Sequence, residues 1–250
     1  MRRGVLTSAR LMEADLPPGG FRFRPAMVTL TYRPGVEWCP SHVRDFLQRV
    51  RVWANRKGFA LRYVWVAELQ QRGAVHYHVV LWLPFAMPKA DKRGWWPHGS
   101  TKSEWARTAV GYLAKYASKG DGSGLQFPPR CRIHGTGGLS PVSRRCRRWW
   151  MYPQALRSVA GPQHDVHRFK GGGFVSRVTG EILPPLWGLS GAGSGQVRLT
   201  RLRQQWPPLL PVAPSSLVEL REVAAFDKSL RGPVSSSIPA VNSPARVIAA

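Results

Sequence analysis

Glu68-Leu69-Gln70-Gln71-Arg72-Gly73-Ala74-Val75-His76-Tyr77-His78, continuing as Val79-Val80-Leu81-Trp82-Leu83, reads as the end, turn and return strand of a β-hairpin. Gln71-Arg72-Gly73 has the make-up of a three-residue hairpin loop with glycine in the left-handed position. Strand alternation puts His76 and His78 on one face of the sheet and Tyr77 on the other. The register set by such a loop pairs Glu68 with His76. Two imidazoles and one carboxylate then converge on one point, which is the donor set of a divalent cation. A His-x-His pair alone is equally compatible with a structural role; the paired carboxylate is what raises the metal reading.

Working outward, Ala26 to Tyr32 alternates and is rich in β-formers, so it reads as a first strand. Ser41 opens a helix that runs to about Lys57 and stops at Gly58. Its Val43, Phe46, Leu47, Val50, Trp53 and Ala54 repeat at helical spacing and form one buried stripe. The hairpin strands span Arg62 to Gln70 and Val75 to Leu83. Pro84 to Gly99, with Trp95, Trp96 and Pro97, reads as a loop at one end of the sheet. Thr101 and Glu104 have capping-box spacing, which predicts a helix from there to Lys119, closed by Gly120. Arg130 to His134 is a candidate fourth strand. Ser140-Pro141 is an N-cap followed by a first helical residue. Phe174 to Arg177 and Glu181 to Leu183, around Thr179-Gly180, suggest a small hairpin.

The order β-α-β-β-α-β over residues 26–134 predicts an α+β fold: a ferredoxin-like, split βαβ sandwich with a central antiparallel sheet and helices on one face. Residues 1–24 carry little pattern and read as a loose arm. From residue 188 to 250 the composition shifts to Gly, Ser, Pro and Ala, which reads as a largely disordered tail with a short helix near Ser216 to Leu230.

The 250 residues carry 37 Lys and Arg against 13 Asp and Glu, a formal net charge of +24. That imbalance points to a polyanionic partner, nucleic acid above all. Cys39, Cys131 and Cys146 are too few and too unevenly spaced for a disulfide framework, so a reducing cytoplasm fits. Cys131, His134 and Cys146 lack a fourth zinc ligand. No apolar run reaches membrane-spanning length.

The predicted second helix holds Tyr112, Lys115, Tyr116 and Lys119. At about 100° per residue all four share roughly a third of its circumference. Ala106, Val110, Leu113 and Ala117 form a separate apolar stripe. A tyrosine hydroxyl is a weak nucleophile at its ordinary pKa of about 10, and a neighbouring ammonium favours the phenolate. With a cation to polarise a phosphate, these groups make a phosphodiester-cleaving site with a covalent tyrosine intermediate. Further on, Arg144, Arg145, Arg147 and Arg148 interleave with Trp149 and Trp150, a composition that suits single-stranded DNA and equally a packed helix with arginines in water.

His76-Tyr77-His78 resembles the His-hydrophobic-His motif of HUH endonucleases, the rolling-circle replication initiators. Thr29-Leu30-Thr31 looks like that family's first motif, and Tyr112 with Lys115 like its nucleophile motif. The repeat of this pair at Tyr116 and Lys119 resembles the two-tyrosine form found in initiators of bacterial viruses. The resemblance implies an HUH endonuclease domain over residues 25–187, with the basic-aromatic run as its C-terminal extension. It further implies a nickase that cuts single-stranded origin DNA of a phage or plasmid, keeps the 5′ phosphate on tyrosine and frees a 3′ hydroxyl. Host helicase and polymerase would do the rest in the bacterial cytoplasm. By the same resemblance, His76, His78 and Glu68 are ligands of Mg2+ or Mn2+, Tyr112 and Tyr116 the nucleophiles, and Lys115 and Lys119 their assistants. An HUH transposase or relaxase, or a non-catalytic basic DNA-binding protein, are the alternatives.

Overall fold

The computed structural model describes residues 1–17, 19–70, 73–117, 126–170, 172–191, 197–202 and 205–212. The chain opens with helix α1 (Arg2–Ala14) and strand β1 (Arg24–Tyr32). Helix α2 (Ser41–Arg56) and the hairpin strands β2 (Arg62–Leu69) and β3 (Val75–Leu83) follow. Next come strand β4 (Gly99–Trp105), helix α3 (Ala109–Ala117), strand β5 (His134–Gly137) and helices α4 (Pro141–Met151) and α5 (Gln154–Arg157). Beyond them lie a three-stranded sheet of β6 (Val166–Arg168), β7 (Phe174–Ser176) and β8 (Ile182–Leu183), and a ribbon of β9 (Trp187–Ser190) and β10 (Arg198–Arg201).

The central sheet has the order β4-β1-β3-β2-β5, and every neighbouring pair is antiparallel. β1 and β2 therefore run parallel with β3 between them, joined by α2: this is the split βαβ expected from the sequence. β3 and β4 repeat that arrangement around β1, but residues 84–98 cross as a loop where a helix was expected. The hairpin register pairs Glu68 with His76 and Val66 with His78, and Gly73 takes a φ of 77° as its turn requires.

Alternation divides the core in two. Val28, Leu30, Tyr32, Trp65, Tyr77, Val79 and Leu81 point to α2 and the buried Trp96. Val64, Val66, Val80 and Trp82 point the other way, to α1 and α3. Helices thus cover both faces of the sheet, not one. This is why β3 is apolar nearly throughout: a central strand buried on both sides loses the polar alternation of a half-exposed one.

Residues 1–24, expected as a loose arm, hold a packed helix instead. Val5, Ala9, Leu11 and Met12 of α1 are buried in the second core. The Asp15 carboxylate accepts from Arg62 of β2 at 3.1 Å and from the Ser140 backbone N–H at 2.7 Å, tying the end of α1 to the sheet and to the start of α4. Ser140 caps α4 through Ser143 N–H, with Pro141 in the first turn, as read from the sequence.

Three further expectations are corrected. Thr101 and Glu104 do not start a helix but lie in β4. The chain returning from the 84–98 loop runs along β1, where backbone pairing of Tyr32 with Gly99 through Ala26 with Trp105 takes precedence over a local cap. The Thr101 hydroxyl donates to Asp91 at 3.1 Å. The fourth predicted strand is shifted to His134–Gly137, against β2. The C-terminal segment is not featureless from residue 188, because β9 and β10 pair within it; the short helix read near Ser216 to Leu230 lies outside the described residues. The small hairpin around Thr179-Gly180 forms as expected.

Leu11, fully buried under α1, makes the arm-or-helix distinction measurable. Leu11→Ala is expected to lower unfolding free energy by about 2–5 kcal/mol, the cost of a core cavity, read from the denaturant midpoint; a loose arm would leave the midpoint unmoved.

Candidate active site

The face of the sheet beneath α3 is built by register. One row runs Ser100, Thr31, His76, Glu68 across β4, β1, β3 and β2. The next runs Lys102, Thr29, His78, Val66 and, on β5, His134. The Thr29-Leu30-Thr31 motif therefore places both threonines directly beside the two histidines, with Leu30 turned into the opposite core.

α3 brings the tyrosines onto this face. Ala109, Leu113 and Ala117 form its buried stripe, with Ala109 in place of the expected Ala106, which precedes the helix. The Glu13 carboxylate of α1 accepts the Ala109 N–H at the α3 N-terminus, and burial raises its pKa despite that bond. The side chain thus caps a helix that has lost its predicted capping box. Tyr112 and Tyr116, one turn apart, both lie over His78. The Tyr116 ring stacks on the imidazole with centroids 3.5 Å apart and planes at 22°. Tyr112 meets it edge-on, and the two phenol rings are 4.7 Å apart.

His78 is 4% exposed and links a hydrogen-bond chain. Its Nε2–H donates to Glu68 Oε2 at 2.7 Å, and Nδ1 of the neutral ring then accepts the Tyr112 hydroxyl at 2.9 Å. His76 Nε2 is hydrogen-bonded to the Thr31 hydroxyl, and the two imidazole centroids are 5.2 Å apart. Burial holds the Tyr112 hydroxyl well above the ordinary tyrosine range, and the adjacent Tyr116 hydroxyl adds to this, while a hydrogen bond with Thr29 works against it. Tyr112 is therefore kept protonated, and forming its phenolate needs a proton acceptor or a nearby positive charge. Lys115 is exposed one residue before Tyr116, its Nζ 5.7 Å from that ring centroid.

Glu68, His76, His78, Tyr112, Tyr116 and Lys115 thus come together; Lys119 lies outside the described residues. In kind, two imidazoles and a carboxylate on neighbouring strands fit a divalent cation. In their present rotamers Glu68 and His78 are bonded to each other and His76 to Thr31. Among the described residues no three His, Cys, Asp or Glu side chains are grouped to hold a metal ion.

Sequence reasoning missed Lys102 and Glu104 of β4, which pair at 2.9 Å. Glu104 raises the pKa of Lys102, with a smaller contribution from Tyr116. Glu104 also acts on Tyr112. Their alternation with Thr101 and Ser103 was the available signal, masked by the capping-box spacing.

The basic-aromatic run sits elsewhere, on α4, with α1 packed against both α3 and α4. Trp149 and Trp150 stack on each other, centroids 4.9 Å apart, with Arg157 over Trp150, and Trp149 Nε1–H donates to the Ala160 carbonyl. Their rings serve packing in this arrangement. Arg147 donates to Ser8 at 2.6 Å and Arg148 pairs with Asp165 at 2.5 Å. Even so, Arg144, Arg147, Arg148 and Arg168 line one cavity of about 600 Å³ between α4 and the end of β5.

Residues 25–121 match the family model of the replication-associated protein ORF2. The match is consistent with a rolling-circle replication initiator. The matched segment takes in β1 to β4, α2 and the tyrosine helix, so the whole His-Tyr constellation falls inside it, while β5, α4 and its arginines fall outside. No curated protein and no solved structure gives a significant match to the chain. Among the described residues no helix is long and apolar enough to cross a membrane.

Tyr112→Phe removes the hydroxyl from His78 while leaving the ring in place. It is expected to cost about 0.5–1.5 kcal/mol of folding stability, the net worth of one hydrogen bond, measured by chemical denaturation.

Proposed function

We propose that the chain is a rolling-circle replication initiator that nicks and rejoins single-stranded origin DNA in a site- and strand-specific way, through a covalent 5′-phosphotyrosine. The observation that carries this reading is the placement of two tyrosines over the His-x-His strand pair, within the segment that matches the replication-associated family. The net charge of +24 supplies the attraction for the substrate.

In the cleavage step the Tyr112 hydroxyl gives its proton to His78 Nδ1 and its oxygen attacks the scissile phosphorus. The bond from phosphorus to the 3′ oxygen breaks, and that oxygen leaves with a proton as a 3′ hydroxyl primer for a host polymerase. Glu68 holds His78 in the tautomer that accepts the proton, the role of an orienting carboxylate. Lys115 offsets charge on the phosphate. Tyr116, one turn along on the same imidazole, is placed for the second cut and the transfer that closes the circle. Glu68, His76 and His78 would hold Mg2+ or Mn2+, which when bound polarises the phosphate oxygens. Arginines of α4 follow the DNA backbone, and a host helicase unwinds the duplex.

The hydrogen-bond chain Glu68–His78–Tyr112 favours a second reading of the activation step, in which His78 acts as a base without a cation. One assay separates them. Incubated with an origin oligonucleotide and Mn2+, the protein is expected to give a covalent adduct at Tyr112 or Tyr116, mapped by peptide mass spectrometry and lost in the double Tyr→Phe variant. If a chelator abolishes the adduct, the cation is required; if the yield persists, the relay suffices. A chain that binds the oligonucleotide but forms no adduct under either condition is a non-catalytic binding protein.

A further inference from the structure

On the sheet face opposite the tyrosines, a cleft of about 310 Å³ opens between α2 and the β2–β5 edge. Its floor is aromatic: Trp38, Tyr63 and Trp65, with Tyr77 at the base. The rings are fixed in advance. Trp38 Nε1–H donates to the Tyr77 hydroxyl at 2.7 Å, and Trp65 packs edge-on to Tyr77 with centroids 5.5 Å apart. β5 is cut away to admit them: a Cβ on Gly137 would stand 2.5 Å from the Tyr63 ring, and one on Gly135 would stand 2.5 Å from the Trp65 indole nitrogen. Around the rim are Arg44 and Arg51 of α2, and Arg130 and Arg132 of the segment leading into β5, all exposed. Arg130 has a φ of 63°, a left-handed conformation that residues with a side chain seldom adopt.

An apolar aromatic floor with a cationic rim matches a ligand that is flat and apolar at one end and anionic at the other. We propose that this cleft is a nucleotide-binding site in which a base stacks on Trp38 or Tyr63 and its flanking phosphates meet Arg130, Arg132, Arg44 and Arg51. The volume suits one base with its sugar-phosphate. Rings already locked by hydrogen bonding and packing lose little freedom on binding. A second arginine-lined cavity, on the other face at the same β5 edge, makes a strand of single-stranded DNA passing round that edge the favoured source of the nucleotide over a free one. This assignment is independent of the chemistry at Tyr112 and concerns binding alone.

The full chain, held in chelator, is irradiated with an oligothymidylate carrying 5-iodouracil, and in parallel with free 5-iodo-dUMP, and crosslinked peptides are mapped by mass spectrometry. Crosslinks are expected at Trp38 or Tyr63. Crosslinking by the oligonucleotide alone assigns the site to a DNA strand, and equal crosslinking by the mononucleotide assigns it to free nucleotide. The double variant Arg130→Glu/Arg132→Glu alters only exposed side chains, and its fold is checked by circular dichroism. It is expected to weaken oligonucleotide binding roughly 10-fold or more and to flatten the salt dependence by about 0.7 for each phosphate no longer neutralised. Crosslinks confined to α3 or α4, together with unchanged affinity in the double variant, would overturn the proposal.

Discussion

The site depends on the pairing of β3 with both of its neighbours. Because side chains alternate along a strand, the β1–β3–β2 register alone decides that Thr29, Thr31, His76, His78 and Glu68 share one face. A slip of one residue would bury both imidazoles in the α2 core and turn Tyr77 toward α3. The register is held by the cores on both sides, since the same strands send Val79, Leu81 and Tyr77 to one and Val80 and Trp82 to the other. Chemistry-bearing and packing residues are therefore set by a single constraint.

Much of this was legible in the sequence, for local reasons. Gly73 fixed the hairpin and with it the Glu68–His76 pair. Tyr112 and Tyr116 share a helix face whatever that helix packs on, and the Ser140-Pro141 cap needs no partner beyond its own turn. What was not legible depends on distant chain. β4 carries Ser100, Lys102 and Glu104 rather than an apolar face because it borders the site at the open edge of the sheet, so its only strand signal is its pairing with β1. α1 does have a helical apolar spacing in Val5, Ala9 and Met12, but among so many arginines it lacks the caps that mark a helix from within. The loop over residues 84–98 takes the place of the crossover helix, and Ala90 and Trp96 fill the core where that helix would lie.

The two faces of the sheet are put to different use. The α3 face gathers groups that can move a proton and meet a phosphate, in a half-buried setting where burial keeps Tyr112 neutral until an acceptor is ready. The opposite face, beyond α2, gathers aromatic rings under a rim of arginine. β5 lies between them as an edge strand whose glycines replace bulk with access. This strand and α4 lie outside the family-matched segment, so the cleaving constellation and the surfaces that could steer a strand to it belong to separable stretches of chain.

The position of α1 has a consequence for how the protein is made. Its carboxylates serve elements that emerge from the ribosome much later: Asp15 waits for Arg62, 47 residues on, and for Ser140, 125 residues on, and Glu13 waits for Ala109. Until then the stripe of Val5, Ala9, Leu11 and Met12 has nothing to cover it. The helix translated first is among the last to find its place, and closing such long loops slows folding. During synthesis the nascent chain exposes an apolar, arginine-flanked segment of the kind that chaperones hold and proteases cut.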